Sequence, residues 1–148
     1  MATLVFGREI ISRSPLETES LAAQFYDVAG KVALVALYGP LGAGKTCFVR
    51  GMAFAAGVAP EDVNSPSFTY INEYPGGETP VYHFDLYRLK NPSEFHSIGG
   101  YDYLNREAII LIEWAENGGD FIPRDRYDVR FRIIDATSRG LTFSKAGL

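Results

Sequence analysis

The sequence holds a single cysteine, Cys47, among its 148 residues. One thiol excludes an internal disulfide and any multi-cysteine metal site. Long apolar runs are missing too. The longest, Val32 to Tyr38, has seven residues, against the ~18 that a membrane span needs. The start, MATLVFGREI, has neither the basic opening nor the apolar centre of a secretory leader. A cytoplasmic protein with no membrane association is therefore expected. Internal repeats and low-complexity stretches are absent. There is no surplus of positive charge either: the net charge is −4, which disfavours a general nucleic-acid binder, because phosphate neutralisation drives that binding. The balance is uneven, with 8 basic and 15 acidic side chains in residues 1–120 and 6 and 3 in residues 121–148. That final stretch is the one place suited to touching a phosphate or an acidic partner, although charge runs are usually solvated strand faces.

What is present is an ordinary globular balance, 47% hydrophobic and 22% charged, in a length that fits one domain over residues 1–148. Ser14-Pro15-Leu16-Glu17 reads as a helix start, with a serine cap, proline in the first turn and glutamate completing a capping box. Leu21, Phe25 and Val28 then recur on one helical face, and Gly30 is placed to stop the helix. Val32 to Tyr38 is apolar throughout, the pattern of a strand buried on both faces of a parallel sheet. A glycine-rich turn follows, then a helix over Lys45 to Ala56 with Phe48, Met52 and Ala55 on one side. Asn64-Ser65-Pro66 and Pro75-Gly76-Gly77 are turn signals. Ser67 to Tyr74 and Val81 to Phe84 read as shorter strands, and Pro92 to Ile98 as a short helix started by Asn91. Ala108 to Ile112 is a second fully apolar, hence central, strand. Asp128 to Ile134 sets Val129, Phe131 and Ile133 against Arg130, Arg132 and Ile134, a half-exposed strand near an edge. Strands mixed with helices imply a layered α/β fold.

Residues 39–46, Gly-Pro-Leu-Gly-Ala-Gly-Lys-Thr, match G-x-x-x-x-G-K-[ST] in full. Each part serves anion binding. Gly39, Gly42 and Gly44 let the backbone fold so that successive N–H groups, including those of Leu41, Ala43 and Cys47, converge on one anion. The helix that follows adds its positive dipole end. Lys45 reaches the β- and γ-phosphates, and the Thr46 hydroxyl is a Mg²⁺ ligand. The loop follows a buried strand and opens a helix, the context the motif requires. Metal binding and hydrolysis need carboxylates as well, at the ends of neighbouring buried strands where they meet the phosphates. Glu113 follows Ile109 to Ile112 and fits best; Asp85 follows the shorter Val81 to Phe84. With Thr46, these two acids are the expected metal ligands, one holding the ion while the other orients water. His83 and His96 are isolated and read as structural. Cys47 sits at a helix start, where thiol pKa tends to fall, but a packing role is the simpler expectation. Trp114 is either core or a wall of the nucleotide site.

Four blocks resemble the TsaE (YjeE) family of small bacterial ATPases in tRNA threonylcarbamoyladenosine synthesis, over about residues 15–135. They are the loop 39–46, Ser65-Pro66-Ser67-Phe68-Thr69, His83-Phe84-Asp85-Leu86-Tyr87-Arg88-Leu89, and Ile110-Leu111-Ile112-Glu113-Trp114-Ala115-Glu116. Ile98 to Leu104 also looks like the family pattern. The resemblance implies a three-layer P-loop NTPase-like fold, a mostly parallel central sheet flanked by helices. It implies ATP and Mg²⁺ as cofactors, held by Lys45, Thr46, Asp85 and Glu113, with Trp114 near the nucleotide or a partner and residues 65–69 as a switch-like loop. It further implies TsaD and TsaB as protein partners. Hydrolysis would be weak alone and stimulated by them, supporting turnover of the transferase that modifies the adenosine beside the anticodon. Contact with tRNA would be indirect, or limited to residues 121–148. The sequence departs from the family at Pro40, usually aspartate, at Cys47, usually threonine, and mildly at Ser67. Proline at 40 removes one N–H; residues 42–46 supply most phosphate donors, so binding is expected to survive. Two other functions of such a loop fit less well. A small-molecule kinase would show an arginine-rich lid, which is not visible. A GTP switch would show N-K-x-D, and no lysine follows any asparagine.

Overall fold

The computed structural model describes residues 2–63 and 70–146. Its centre is a seven-stranded mixed sheet in the order β1-β7-β6-β2-β5-β4-β3. The strands are β1 (Ile10–Ser12), β2 (Ala33–Tyr38), β3 (Ile71–Tyr74), β4 (Val81–Asp85), β5 (Ile109–Glu113), β6 (Tyr127–Ile133) and β7 (Arg139–Lys145). β6, β2, β5 and β4 run parallel, and the outer pairings β1–β7, β6–β7 and β3–β4 are antiparallel. The two fully apolar runs are β2 and β5, paired at the middle with Ala33 opposite Ile109 and Leu37 opposite Glu113. Leading both with continuous apolar residues makes sense only because both sheet faces are covered there.

One face carries α1 (Pro15–Ala29) and α2 (Lys45–Ala55) over a core that includes Leu21, Phe25, Phe48, Met52, Leu111 and Phe143. The other carries α3 (Ser93–Ser97), α4 (Gly100–Tyr103) and a 3₁₀ segment, Ala115–Phe121, over Phe84, Leu86, Phe95, Ile110 and Ile112. Each fully buried large apolar side chain contributes about 1.5–3 kcal/mol. Among the described residues no helix is long and apolar enough to cross a membrane.

The start of α1 is as its cap predicts. The Ser14 hydroxyl accepts the Glu17 N–H at 3.1 Å, while the Glu17 carboxylate reaches one residue further back, to the Arg13 N–H at 3.0 Å. Gly30 ends the helix at φ 83°, its N–H on the Tyr26 carbonyl. Val28 is 57% exposed, contrary to the expected face. The buried residues are Thr18, Leu21, Ala22 and Phe25, with the partly buried Ala29 continuing the stripe. The polar Thr18 hid this stripe. In α2 the buried alanine is Ala53 rather than Ala55. β6 is not itself an edge strand, since β2 and β7 flank it, and stands third from one end of the sheet. Its half-exposure has another cause: none of its residues belongs to the second core, so Arg130 and Arg132 face solvent on a stretch of sheet without helices. Ile133 closes the strand and is 43% exposed rather than inward. Of the expected strand Ser67 to Tyr74, residues 71–74 form β3; 67–69, the turn 64–66 and the loop block 65–69 lie outside the described residues.

Candidate functional site

β2 delivers the chain to its carboxyl end at Tyr38, where the glycine-rich loop begins. Gly39 has φ 150°, and a Cβ there would lie 2.9 Å from both Cβ and the carbonyl oxygen of Phe131 on β6. Only glycine lets the loop leave the sheet so close to its neighbour. A turn closes with the Ala43 N–H on the Pro40 carbonyl at 3.2 Å. Gly44 then caps α2 in the left-handed region, φ 99°. No side chain occupies that cap, so the first amides of α2 point into the loop with the helix dipole behind them.

Lys45, though cationic, is buried at 4% exposure. Its Nζ donates to the Gly39 carbonyl at 2.5 Å and lies 3.6 Å from the centre of the Trp114 ring. Burial pushes its pKa down, opposed by the carboxylates of Glu113, Glu116 and Asp85. Trp114 itself is in the left-handed region, φ 58° and ψ 42°, the one non-glycine residue with positive φ among those described. Its ring packs on Tyr87 at 4.9 Å. The side chain thus makes a wall over the lysine, in contact with a cation and with a second aromatic ring.

The acids come from β4 and β5. Strand register sets Asp85 directly beside Glu113, and Glu113 directly beside Leu37 of β2. Period-two alternation turns Glu113 to the same face as Ile109 and Leu111, the face that packs α2. Its Oε2 accepts the Thr46 hydroxyl at 3.4 Å. Asp85 Oδ1 accepts the Tyr87 N–H at 3.0 Å. Burial holds the Asp85 carboxyl above the usual carboxylate range. The nearby Glu113 charge adds to that, and the Tyr87 amide, His83 and Lys45 oppose it. Among the described residues no three His, Cys, Asp or Glu side chains gather into a metal cage. A hydroxyl and two carboxylates suit Mg²⁺, which keeps several waters and is commonly held through one or two carboxylates plus substrate phosphates.

A cavity of about 250 Å³ is lined by Leu41, Gly42, Gly44, Lys45, Thr46, Cys47 and Glu113. A second, of about 340 Å³, shares Gly42, Gly44 and Cys47 with it and extends between Pro15, Thr18, Ala136 and Arg139. All the sequence-predicted site residues except Gly39, Ala43, Asp85 and Trp114 line the loop cavity; Gly39 and Ala43 belong to the loop itself, and Asp85 and Trp114 adjoin it through Glu113 and Lys45. Cys47 is half-buried with its thiol on the Pro15 carbonyl at 3.3 Å. Burial pushes the thiol up, with Glu19 adding to the shift; desolvation outweighs the helix-start effect expected to lower it.

Two residues of the site were not legible as such. Arg139, on β7, donates Nε and Nη2 to the Gly42 carbonyl at 3.2 and 3.1 Å, tying the loop to the far side of the sheet. His83 is fully buried, and its Nε2 meets Glu113 Oε2 at 2.5 Å. It lies two residues before Asp85, so it shares that residue's face of β4. A polar residue on the inward face of an otherwise apolar strand was the available signal. The basic stretch is largely engaged: Arg126 with Asp128, Arg132 with Glu9, Arg130 over Tyr38 and Lys145 over Tyr127.

The chain is similar to known proteins over most of its length. The family model "Threonylcarbamoyl adenosine biosynthesis protein TsaE" matches residues 12–141. The chain is 35% identical over 134 residues to the tRNA threonylcarbamoyladenosine biosynthesis protein TsaE of Bacillus subtilis, covering 90% of this chain and 83% of that one. It is 34% identical over 136 residues to the corresponding protein of Treponema pallidum, covering 89% and 96%. The crystal structure of Bacillus subtilis YdiB superposes with a TM-score of 0.74 at 28% identity, over 99% of this chain and 88% of that one.

Proposed function

The chain belongs to the TsaE family of threonylcarbamoyl adenosine biosynthesis proteins, and from that premise we propose that it is a Mg²⁺-dependent ATPase serving tRNA modification next to the anticodon. The observation that carries the reading is the meeting of a complete phosphate loop, with its lysine buried, and two carboxylates from the ends of adjacent parallel strands. ATP would place its phosphates in the loop cavity and its nucleoside in the larger cavity that opens from Gly42, Gly44 and Cys47. Mg²⁺, when bound, supplies charge neutralisation across the β- and γ-phosphates.

The chain's own residues divide the work. Backbone amides of residues 42–46 bind phosphate oxygens. Lys45 leaves the Gly39 carbonyl and the Trp114 ring for the phosphates, exchanging one weak set of partners for a stronger charge pair. Thr46 and Asp85 would hold the metal. Glu113, whose Oε2 is shared by Thr46 and His83, has its other oxygen to orient a water and take its proton. Among the described residues nothing closes over the loop cavity, so hydrolysis by the isolated protein is expected to be slow. In this reading TsaD and TsaB supply the closure, and the protein acts as a single domain in the cytoplasm. It reaches tRNA through them. The internal pairing of Arg126, Arg132 and Arg139 supports an indirect role, since paired arginines release few counterions from a nucleic acid.

The test is the ATP hydrolysis rate of wild type and Lys45→Ala, with and without TsaB–TsaD. Stimulation of wild type by the pair and loss of turnover in the variant are expected. A wild-type rate indifferent to the pair would refute the partner assignment, and undiminished turnover in Lys45→Ala would refute the site.

A further inference from the structure

Four side chains form a continuous hydrogen-bonded row on the inner face of β3, β4 and β5. Asn72 Nδ2 donates to the Tyr74 hydroxyl oxygen at 3.3 Å. The Tyr74 hydroxyl meets His83 Nδ1 at 3.2 Å, and His83 Nε2 meets Glu113 Oε2 at 2.5 Å. The row follows from register: Asn72 is opposite His83, Tyr74 opposite Val81, and His83 opposite Leu111, so each contact is a cross-strand or same-strand neighbour two residues on. Its direction is set at the acid: a carboxylate oxygen only accepts, so the imidazole carries a hydrogen on Nε2, the nitrogen that faces Glu113. Tyr74 and His83 are 4% and 0% exposed.

Packing alone gives no reason for this row. An apolar pair of similar shape in place of a buried histidine and carboxylate is commonly neutral or stabilising. A polar row ending on the acid beside the phosphate loop has a local use instead. The Glu113 carboxylate has two oxygens and several rotamers. An N–H on Oε2 from the side of β4, with the Thr46 hydroxyl on the same atom, restricts the rotation of a carboxylate that lines the loop cavity.

We infer that His83, itself held by Tyr74, is a positioning residue that orients the Glu113 carboxylate for its work on the attacking water. The inference rests on the ATPase reading above. It concerns geometry rather than nucleotide affinity, since His83 lines neither cavity.

The test combines single-turnover ATP hydrolysis and nucleotide affinity in the full chain. His83→Leu is expected to lower the hydrolysis rate by about 10–100-fold, the usual cost of losing a group that orients a reacting one, while changing ATP affinity less than about 3-fold. His83→Gln, which puts a side-chain N–H near the same place, is expected to recover most of the rate. In a Glu113→Gln background, His83→Leu is expected to have no further effect, because its influence passes through the carboxylate. Tyr74→Phe, which deletes one hydroxyl and leaves the core filled, is expected to slow hydrolysis about 3-fold and covers the event that His83→Leu does not fold. A His83→Leu protein with the wild-type rate overturns the inference alone. So does a loss that is undiminished in the Glu113→Gln background, which marks a general structural role. A wild type that binds ATP and never hydrolyses it overturns the parent reading and this inference together.

Discussion

Trp114 offers a sharp test of how the site is held before nucleotide arrives. Its left-handed backbone costs about 1–2 kcal/mol for a side chain bearing Cβ. Against that cost stand two ring contacts. The Lys45 ammonium at 3.6 Å from the ring centre contributes about 1–2 kcal/mol in a partly desolvated setting. The Tyr87 ring at 4.9 Å contributes about 0.5–1.5 kcal/mol. Trp114→Ala removes both contacts and keeps the backbone cost, so it is expected to lower stability by about 2–3 kcal/mol. Trp114→Gly removes the same contacts and relieves the backbone. Even after the greater flexibility of the unfolded glycine chain, it is expected to be more stable than the alanine variant by about 1 kcal/mol. Urea unfolding of wild type and the two variants, compared at constant denaturant slope, measures the difference. An alanine variant as stable as the glycine variant would refute the claim that the ring contacts hold Trp114 in a costly conformation. Trp114 is also the chain's only tryptophan, so withdrawal of Lys45 by ATP is expected to change its emission.

Other consequences follow from the same geometry. Gly39→Ala puts a Cβ 2.9 Å from Phe131; a loss of about 2–3 kcal/mol in urea unfolding and weaker ATP binding in titration are expected. The Asp85 carboxyl, raised by burial above its ordinary 3.8, binds its proton more tightly folded than unfolded. The resulting stabilisation is complete below pH 3.8, fades as pH rises through the folded value, and leaves the charged form a net cost above it. Asp85→Asn is therefore expected to be more stable than wild type at neutral pH without nucleotide, with the gap closing in acid, and to lose Mg²⁺-dependent ATP affinity; a variant less stable at pH 7 in thermal melts would reverse that sign. Cys47, with its thiol pushed up by burial, is expected to react with a maleimide more slowly than a free cysteine at pH 7, and more slowly still with ATP bound, as read by mass spectrometry.

Much of the fold was legible because its signals are local. The capping residues of α1, the two continuous apolar runs that became β2 and β5, and the glycine-rich loop each carry their explanation within a dozen residues. β1 and β7 were not legible. Ile10–Ser12 is three residues long, and Arg139–Lys145 mixes polar and apolar residues. Both are strands because they add to an existing sheet, not because of their own patterning. In the site, Lys45, Thr46 and Glu113 could be read from a motif and a strand end. His83 could not, because its importance lies in a register between β4 and β5 that brings it to Glu113. The same holds for Arg139, 97 residues from the loop carbonyl it supports. The Val28 expectation erred for the opposite reason: an apolar residue fitted the helical period, while the stripe that is buried contains a threonine.

The central claim is that this loop and these carboxylates bind ATP with Mg²⁺ and that Glu113 is the group that makes hydrolysis possible. Single-turnover hydrolysis by wild type and Glu113→Gln, alongside the ATP affinity of each, tests it most directly. The account predicts near-equal affinities and a rate lower by about 10²–10⁴-fold in the variant, the range lost with a general base. A Glu113→Gln protein that hydrolyses ATP at the wild-type rate would contradict it.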